Sequence, residues 1–299
     1  MEETKQDVLS QALVGQTQWV YFEINNGWYA LPVERVRELI QTPNLVKVPK
    51  VPDYILGVIT LREITLPVID LRLRLGMPSL TAVRDKMIAT MRQRKQDHID
   101  WLDALKNHVR TGAEFTKALD PRKCAFGQWF ETFHTDDLTL GSLVPKFEAP
   151  HKSIHAIGAE VIRLTKEGKG EEAQQTIDRT EHGSLAEMLK LFDQMIEHLH
   201  RQESQVTVVT ELEHGVCGLL VDKVESVITF EKGEVGPKPA MSSGGKTTSD
   251  MVIGVARPKS FKERMILLLD PDRGLGGEDL AKLAALGRKE KEDSLALRF

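Results

Sequence analysis

Thr81-Ala82-Val83-Arg84-Asp85-Lys86-Met87-Ile88-Ala89-Thr90-Met91 begins a run in which apolar residues return at every third or fourth position, continuing through His98, Leu102, Leu105 and Val109. That spacing lays one stripe along a helix, and His98 falls on it. Just upstream, Thr65-Leu66-Pro67-Val68-Ile69-Asp70-Leu71 is short, apolar and β-branched, the composition of a strand, and Gly76-Met77-Pro78 separates the two runs. The change of period near residue 80 decides the organisation: a helical block begins inside a chain otherwise written as strands.

Working upstream, Trp19-Val20-Tyr21-Phe22-Glu23-Ile24 and Trp28-Tyr29-Ala30-Leu31-Pro32-Val33 flank Asn25-Asn26-Gly27, which predicts a hairpin. A brief helical turn is predicted over 33–39, then a strand at Val46-Lys47-Val48-Pro49 and two more at 57–61 and 65–71. Pro67 predicts an edge position or a bulge, because proline donates no ladder hydrogen bond.

Working downstream, Asp120-Pro121 supplies an N-cap and a proline at the first helical position. Phe126, Trp129, Phe130 and Phe133 form the apolar side of the short helix that follows. A loop rich in Thr, Asp, Gly and Ser comes next. A third helix carries Phe147, His151, Ile154, His155, Gly158, Val161 and Ile162 on one side. Gly168-Lys169-Gly170 ends it, and a fourth runs to about Gln205. Four antiparallel helices bring the chain back to the end where it entered, which suits an insertion. Strand composition then resumes at Val206–Val209, Cys217–Asp222, Val224–Phe230, Val252–Val255 and Met265–Leu269. A loop is predicted over 241–250, and Leu280, Leu283 and Leu286 mark a terminal helix.

The chain has 299 residues, more than one core usually spans, so two structural units are expected. A formal net charge of −4 gives no clustered excess of Lys and Arg for phosphate contacts, so nucleic acid is not an expected partner. Two cysteines make no disulfide framework, the first residues lack the apolar core of a secretory signal, and the longest apolar runs are far too short to span a bilayer. A cytoplasmic protein without direct membrane insertion is expected.

The chemistry-bearing residues gather in the helical block. His151 and His155 are four apart on the third helix, so both rings leave one face and can share a zinc ion. His98 lies on a core stripe, where an uncompensated imidazole is costly, and Cys124 offers a soft ligand. Counted as a helical residue, Cys124 falls on the side away from Phe126 and Trp129, although its place in the first turn and the small Gly127 leave room for another helix. His134 is the expected replacement should one of the four fail. His108, His198 and His200 read as surface or edge residues, and Cys217 as a small core residue. Three imidazoles and a thiolate close a tetrahedral sphere, whereas hydrolytic zinc keeps a position for water, so sensing or structure is expected rather than catalysis. The helix start, the flanking Arg122 and Lys123, and the metal favour an oxidisable thiolate at Cys124. Its conversion to sulfenic acid would remove a ligand, so a switch responding to oxidant or to zinc level is expected.

The segments His98-x-x-Trp101-x-x-x-Leu105, Cys124-x-Phe126-Gly127-x-Trp129 and His151-x-x-x-His155 together resemble the chemoreceptor zinc-binding domain, a helical bundle with a site of three histidines and one cysteine. The flanks resemble the CheW-like chemotaxis coupling family: Tyr29-Ala30-Leu31-Pro32-Val33-x-x-Val36-x-Glu38, Gly57-Val58-Ile59-x-Leu61-Arg62, Pro67 to Arg72, and Gly218-Leu219-Leu220-Val221-Asp222-x-Val224. This resemblance implies an α+β chain of two SH3-like β-barrel subdomains interrupted by an antiparallel four-helix zinc-binding bundle. The segments would be 1–79 for the first half, 80–204 for the insert, and 205–299 for the second half with a C-terminal helix. It implies a non-enzymatic adaptor joining the cytoplasmic tips of chemoreceptors to the regulatory domain of the histidine kinase CheA. Val36, Glu38, Gly57 and Arg62 fall where partner contacts or their supports are expected. The family usually has glycine after that arginine, and here Glu63 stands there. The contrasting expectations are a metal-dependent hydrolase or di-iron bundle drawing on Glu131, Glu160 or His182, and a zinc module that is purely structural.

Overall fold

The computed structural model describes residues 17–273 apart from 43, 202–204, 214, 232, 239–247 and 262–263. The terminal helix expected around Leu280 and most of the 241–250 loop lie outside the described residues. The chain divides into two compact units, one built from described residues before Thr81 and after Glu203, the other from residues 81–203.

In the first unit the strands are β1 (Gln18–Ile24), β2 (Gly27–Pro32), β3 (Val36–Gln41), β4 (Ile55–Leu61) and β5 (Ile64–Asp70) before the helical block. After it come β6 (Val206–Leu212), β7 (Gly215–Val221), β8 (Lys223–Thr229), β9 (Val235–Pro237), β10 (Val252–Ala256) and β11 (Ile266–Leu269). Among the described residues they form a six-stranded sheet ordered β8-β1-β2-β11-β10-β9 and a five-stranded sheet ordered β3-β6-β7-β5-β4. Neither sheet belongs to one half of the sequence. β2 runs parallel to β11, and β5 runs parallel to β7 with Val68 opposite Gly218 and Asp70 opposite Leu220.

Side-chain alternation explains why these strands read as almost unbroken apolar runs. Phe22 and Ile24 enter a core that also holds Ile69, Leu71, Leu219 and Val221, whereas Trp19 and Tyr21 enter another with Phe230 and Ile266. Leu66 and Val68, alternating with Ile69 on β5, fill a third with Ile59, Val209 and Leu220. The inner strands of each sheet are therefore buried on both faces, the condition under which polar alternation disappears, whereas the edge strands β3 and β8 keep exposed positions.

The β1–β2 and β4–β5 turns each have two central residues in the left-handed region: Asn25 and Asn26 at φ 50° and 62°, and Arg62 and Glu63 at φ 46° and 69°. Paired positive φ values make the turn whose twist matches the flanking strands. Asparagine tolerates this conformation. Glu63, in place of the expected glycine, adopts it as well, so the hairpin geometry survives the substitution at the cost of backbone strain.

Asp222 ties the unit together. Its carboxylate accepts from Arg72 Nε at 2.7 Å and from the backbone N–H of Asn25 at 2.8 Å. Arg72 lies in the short helix α1 (Leu71–Arg74), capped by Asp70, so residues from before and after the helical block meet in one ion pair with little solvent access.

Two local expectations are corrected and a third holds in part. Residues 33–39 are a 3-10 turn over Val33–Arg35 followed by strand β3. Residues 46–49 make only an isolated bridge, Val46 to Val58. Pro67 lies in β5, which is not an edge strand, but the β4–β5 ladder shifts register beside it, between Ile55 and Gly57, and the parallel register with β7 begins at Val68, so the missing N–H of Pro67 falls outside the parallel ladder.

The second unit contains α2 (Leu80–Thr111, its first residue counted with the other unit), α3 (Ala125–Thr132), α4 (Leu138–Leu143), α5 (Glu148–Lys166), α6 (Gly170–Thr180) and α7 (Ala186–Arg201). The stripe read from the sequence is buried as Met91, His98, Leu102 and Leu105, and it joins Phe126, Phe147, Ile154, Val161 and Phe192 in one core. Two details differ from expectation. The predicted loop after the second helix contains α4, because Asp137 accepts the N–H of Leu140 and caps it. The predicted fourth helix is helical throughout from Gly170 to Arg201, but carries a π-helical turn over Glu181–Leu185 between its α-helical parts α6 and α7. Among the described residues, no helix is long and apolar enough to cross a membrane.

Candidate metal centre

Four side chains from three places in the helical unit converge. His98 comes from the middle of α2, Cys124 from the start of α3, and His151 and His155 from successive turns of α5. One donor atom from each lies within 4.8 Å of the others. The ring centroids of His151 and His155 are 4.8 Å apart, and His98 lies 5.2 Å from His151 and 5.9 Å from His155. Phe126 stands edge-on to His98 and His151, and Phe192 packs beneath. The three imidazoles are buried, and Cys124 is partly exposed.

The cysteine is not a helical residue. Cys124 is the N-cap of α3 with extended backbone (φ −73°, ψ 157°), and its sulfur accepts the N–H of Gly127 at 3.2 Å. The objection raised by the helical wheel therefore lapses, since an N-cap side chain turns back over the helix end. The approach is possible because residue 127 is glycine: a Cβ there would lie 1.9 Å from the carbonyl oxygen of Pro121. Upstream, Asp120 caps the 3-10 turn Pro121–Lys123 by accepting from Arg122 N–H.

Ring orientation is set by the backbone. His98 Nδ1 donates to the Arg94 carbonyl at 2.7 Å, and His155 Nδ1 donates to the Ala118 carbonyl at 3.1 Å. A carbonyl only accepts, so both rings carry their proton on Nδ1 and present the Nε2 lone pair. The Nε2 atoms of His98 and His155 are buried without a hydrogen-bond partner, and His151 Nε2 lies 3.2 Å from the Cys124 sulfur. Buried acceptors left unpaired are costly, and their convergence with a thiol fits a metal ion that takes nitrogen and sulfur ligands.

The electrostatics agree with neutral imidazoles. Burial and the neighbouring His98 lower His155 to about 4; burial, His98 and His155 lower His151 to about 3; burial also lowers His98. For Cys124, burial raises the thiol, and the N–H groups of Gly127 and Phe126 offset this only in part. The expectation that helix start, Arg122 and Lys123 help make the thiolate is thus corrected for the protein groups: burial outweighs them, and the side chain of Arg122 is 79% exposed.

The other candidates stand apart from this cluster. His134, Glu131 and Glu160 are exposed, and exposed His182 bonds through Nδ1 to the Asp178 carbonyl. His108 bonds to Ala113 O, and His198 to Asp137. Cys217 is fully buried in β7. Among the described residues, no carboxylate joins these four side chains.

Of the residues expected to face partners, Glu38 and Arg62 come together in an ion pair of 3.0 Å. Glu38 lies on the edge strand β3 and Arg62 in the turn joining the opposite edge strand β4 to β5; a flat sheet would hold β3 and β4 about 19 Å apart at about 4.8 Å per strand, so the sheet curls to bring the pair together. Around the pair, Arg37, Leu61, Ile64, Leu66, Val209 and Val216 line a hollow of about 310 Å³. Leu39 and Ile64, which sequence reasoning passed over, are 47% and 50% exposed. Val36 packs on the core between the sheets, and Gly57 is held by sterics, since a Cβ would lie 2.4 Å from Val46 O.

The sequence pattern of the CheW-like domain matches residues 18–99 and 184–278, more than half of the chain, and that of the chemoreceptor zinc-binding domain matches residues 98–162. The first match overruns the strands into α2 and α7. A chemotaxis protein CheW of Helicobacter pylori is 30% identical over 93 residues, covering 31% of this chain and 56% of that protein. A chemotaxis protein CheW of Bacillus subtilis is 34% identical over 92 residues, covering 31% and 58%. The match thus spans little more than half the length of these curated relatives. The crystal structure of the scaffolding protein TtCheW from Thermoanaerobacter tengcongensis aligns with a TM-score of 0.41 at 15% identity, covering 88% of this chain and 96% of that one, a likeness too loose to add to the sequence matches.

Proposed function

We propose, from the premise that this chain belongs to the CheW-like domain family and carries an inserted chemoreceptor zinc-binding domain, that it is a cytoplasmic, non-catalytic adaptor coupling chemoreceptor tips to the regulatory domain of the histidine kinase CheA. In this reading the coupling segments are 1–79 and 205–299, and the segment 80–204 holds zinc and adjusts the coupling. The observation that carries it is the convergence of three buried imidazoles, His98, His151 and His155, with the Cys124 sulfur inside a chain whose flanks are those of an adaptor family.

His98, His151 and His155 would bind through Nε2 and Cys124 through sulfur. Bound zinc would hold that sulfur as a thiolate, which burial otherwise disfavours. The closed ligand set and the absence of a carboxylate beside it, among the described residues, favour sensing over hydrolysis. Loss of a ligand, through oxidation of Cys124 or withdrawal of zinc, would loosen α2, α3 and α5 together. The signal reaches the partners only if they prefer one arrangement of the insert to another. Arg62, 80% exposed beside Glu38, is the expected anchor of the partner surface, with Leu39 and Ile64 as apolar neighbours.

The test is co-precipitation with receptor tips and with the kinase, comparing wild type, Cys124→Ala, His155→Ala and Arg62→Ala, with and without a zinc chelator. Reduced capture by Arg62→Ala and altered capture on zinc removal are expected. Unchanged binding and kinase activity after zinc removal would leave only a structural metal, and unchanged capture by Arg62→Ala would remove the partner surface. If mild hypochlorous acid neither modifies Cys124 nor releases zinc, the oxidant version is wrong.

A further inference from the structure

The carbonyl oxygen that orients His155 is shared. Ala118 O accepts from His155 Nδ1 at 3.1 Å and also from Trp101 Nε1 at 2.8 Å. Two lone pairs allow both bonds, so one peptide group is clamped by side chains of α2 and α5. Trp101 is three residues beyond His98, and Gly158 three beyond His155, so each neighbours its ligand on the same helical face. The indole is buried, and its ring lies 5.0 Å from that of His155.

The segment holding Ala118 lies in the connection between α2 and the Cys124 turn, outside helix and strand, so side chains must supply its restraint. Leu119 lies over Gly158, where an added Cβ would come within 2.4 Å of Leu119 Cδ2 and 3.2 Å of the Trp101 ring. Asp120, the next residue, caps the turn whose Pro121 carbonyl faces the Cys124 sulfur at 3.2 Å. His155 and Cys124 therefore meet the two ends of one four-residue tract from Ala118 to Pro121, and the indole N–H holds its first residue.

We infer that Trp101 is a positioning residue for the metal centre: its indole N–H fixes the Ala118 carbonyl, which holds His155 with Nε2 presented and keeps the tract leading to Cys124 in register. The inference rests on the proposal that these four residues hold zinc. Partners that orient a ligating histidine typically change metal affinity by about 10- to 100-fold when removed. Phenylalanine at 101 keeps an apolar ring and removes the donor. Benzothienylalanine keeps the bicyclic shape and replaces only N–H by sulfur.

The experiment uses the full chain. Zinc affinity is measured by competition with a chromogenic chelator, and the His155 tautomer by long-range proton–nitrogen correlation spectra of histidine-labelled, zinc-free protein. Wild type should bind one zinc and, when zinc-free, carry the His155 proton on Nδ1. Trp101→Phe should bind about 10- to 100-fold more weakly and lose the single tautomer. A folded Trp101→Phe with affinity within about twofold of wild type and the Nδ1 tautomer intact overturns the inference. If Trp101→Phe does not fold, the benzothienylalanine variant is read by the same two criteria. Failure of wild type to bind zinc overturns the metal reading and the inference with it, whereas binding by wild type and the variants alike overturns the inference alone.

Discussion

Replacing Gly127 by alanine tests how the cysteine is placed. The new Cβ would lie 1.9 Å from Pro121 O, 2.9 Å from Pro121 C and 3.0 Å from Arg122 Cα, all backbone atoms. Ordinary contact is about 3.5 Å, so the Pro121 carbonyl must retreat by about 1.5 Å. The turn that moves is Pro121–Lys123, which ends at Cys124. Zinc–ligand distances tolerate about 0.2 Å, so such a shift takes the sulfur out of the ligand set unless the whole turn is remade. For stability, overpacking costs about 1–3 kcal/mol, and alanine returns about 1 kcal/mol of helix propensity. The expected net loss is about 0–2 kcal/mol. Zinc binding should weaken more, by about 10- to 100-fold, because the perturbation acts on ligand position. Urea denaturation and chelator competition measure the two quantities. Gly141→Ala is the control: nothing lies within 4 Å of the added Cβ in α4, so stability should rise by about 0.5–1 kcal/mol with zinc affinity unchanged. Gly127→Ala with wild-type zinc affinity would refute the assignment of Gly127 as the residue that admits the Cys124 turn.

Three further outcomes are expected. Asp222→Ala leaves Arg72 buried without its partner and should cost about 3–5 kcal/mol in urea denaturation; a cost below about 1 kcal/mol would show that the ion pair does not hold the sheets together. Glu63→Gly relieves a left-handed residue in the β4–β5 turn and should raise stability by about 1 kcal/mol; an unchanged or lower midpoint would mean that the strain is absent. In chelator-treated protein, stability should fall with acidification. The folded pKa values of His151 and His155, about 3 and about 4, lie below the ordinary 6.5. The unfolded chain therefore takes up protons first: the stabilisation is complete above about 6.5 and is lost as pH falls toward 4 and then 3. A flat urea midpoint between pH 7 and 4.5 would contradict this.

The four residues proposed to hold the metal were legible to different degrees. His151 and His155 share a face by spacing alone, and His98 declares itself by occupying a core stripe. Cys124 was legible as a residue type but not in its direction, because an N-cap leaves the helical period and its side chain follows the turn before it. The Ala118 carbonyl left no trace, since every residue has one and only the folded connection brings it between Trp101 and His155.

The same division holds for the fold. Local chemistry in the sequence determined where strands give way to helices, which residues face the helical core, and that the chain turns at Asn25-Asn26-Gly27, because these follow from side-chain period and backbone sterics between near neighbours. Only the tertiary structure decided that β5 pairs with β7 and β2 with β11, that Asp222 meets Arg72, and that Glu38 meets Arg62 across a curled sheet. Strand edges offer the same N–H and C=O groups to any partner. The choice among them is made by burying all the apolar faces at once, a condition on the whole chain rather than on any stretch of it.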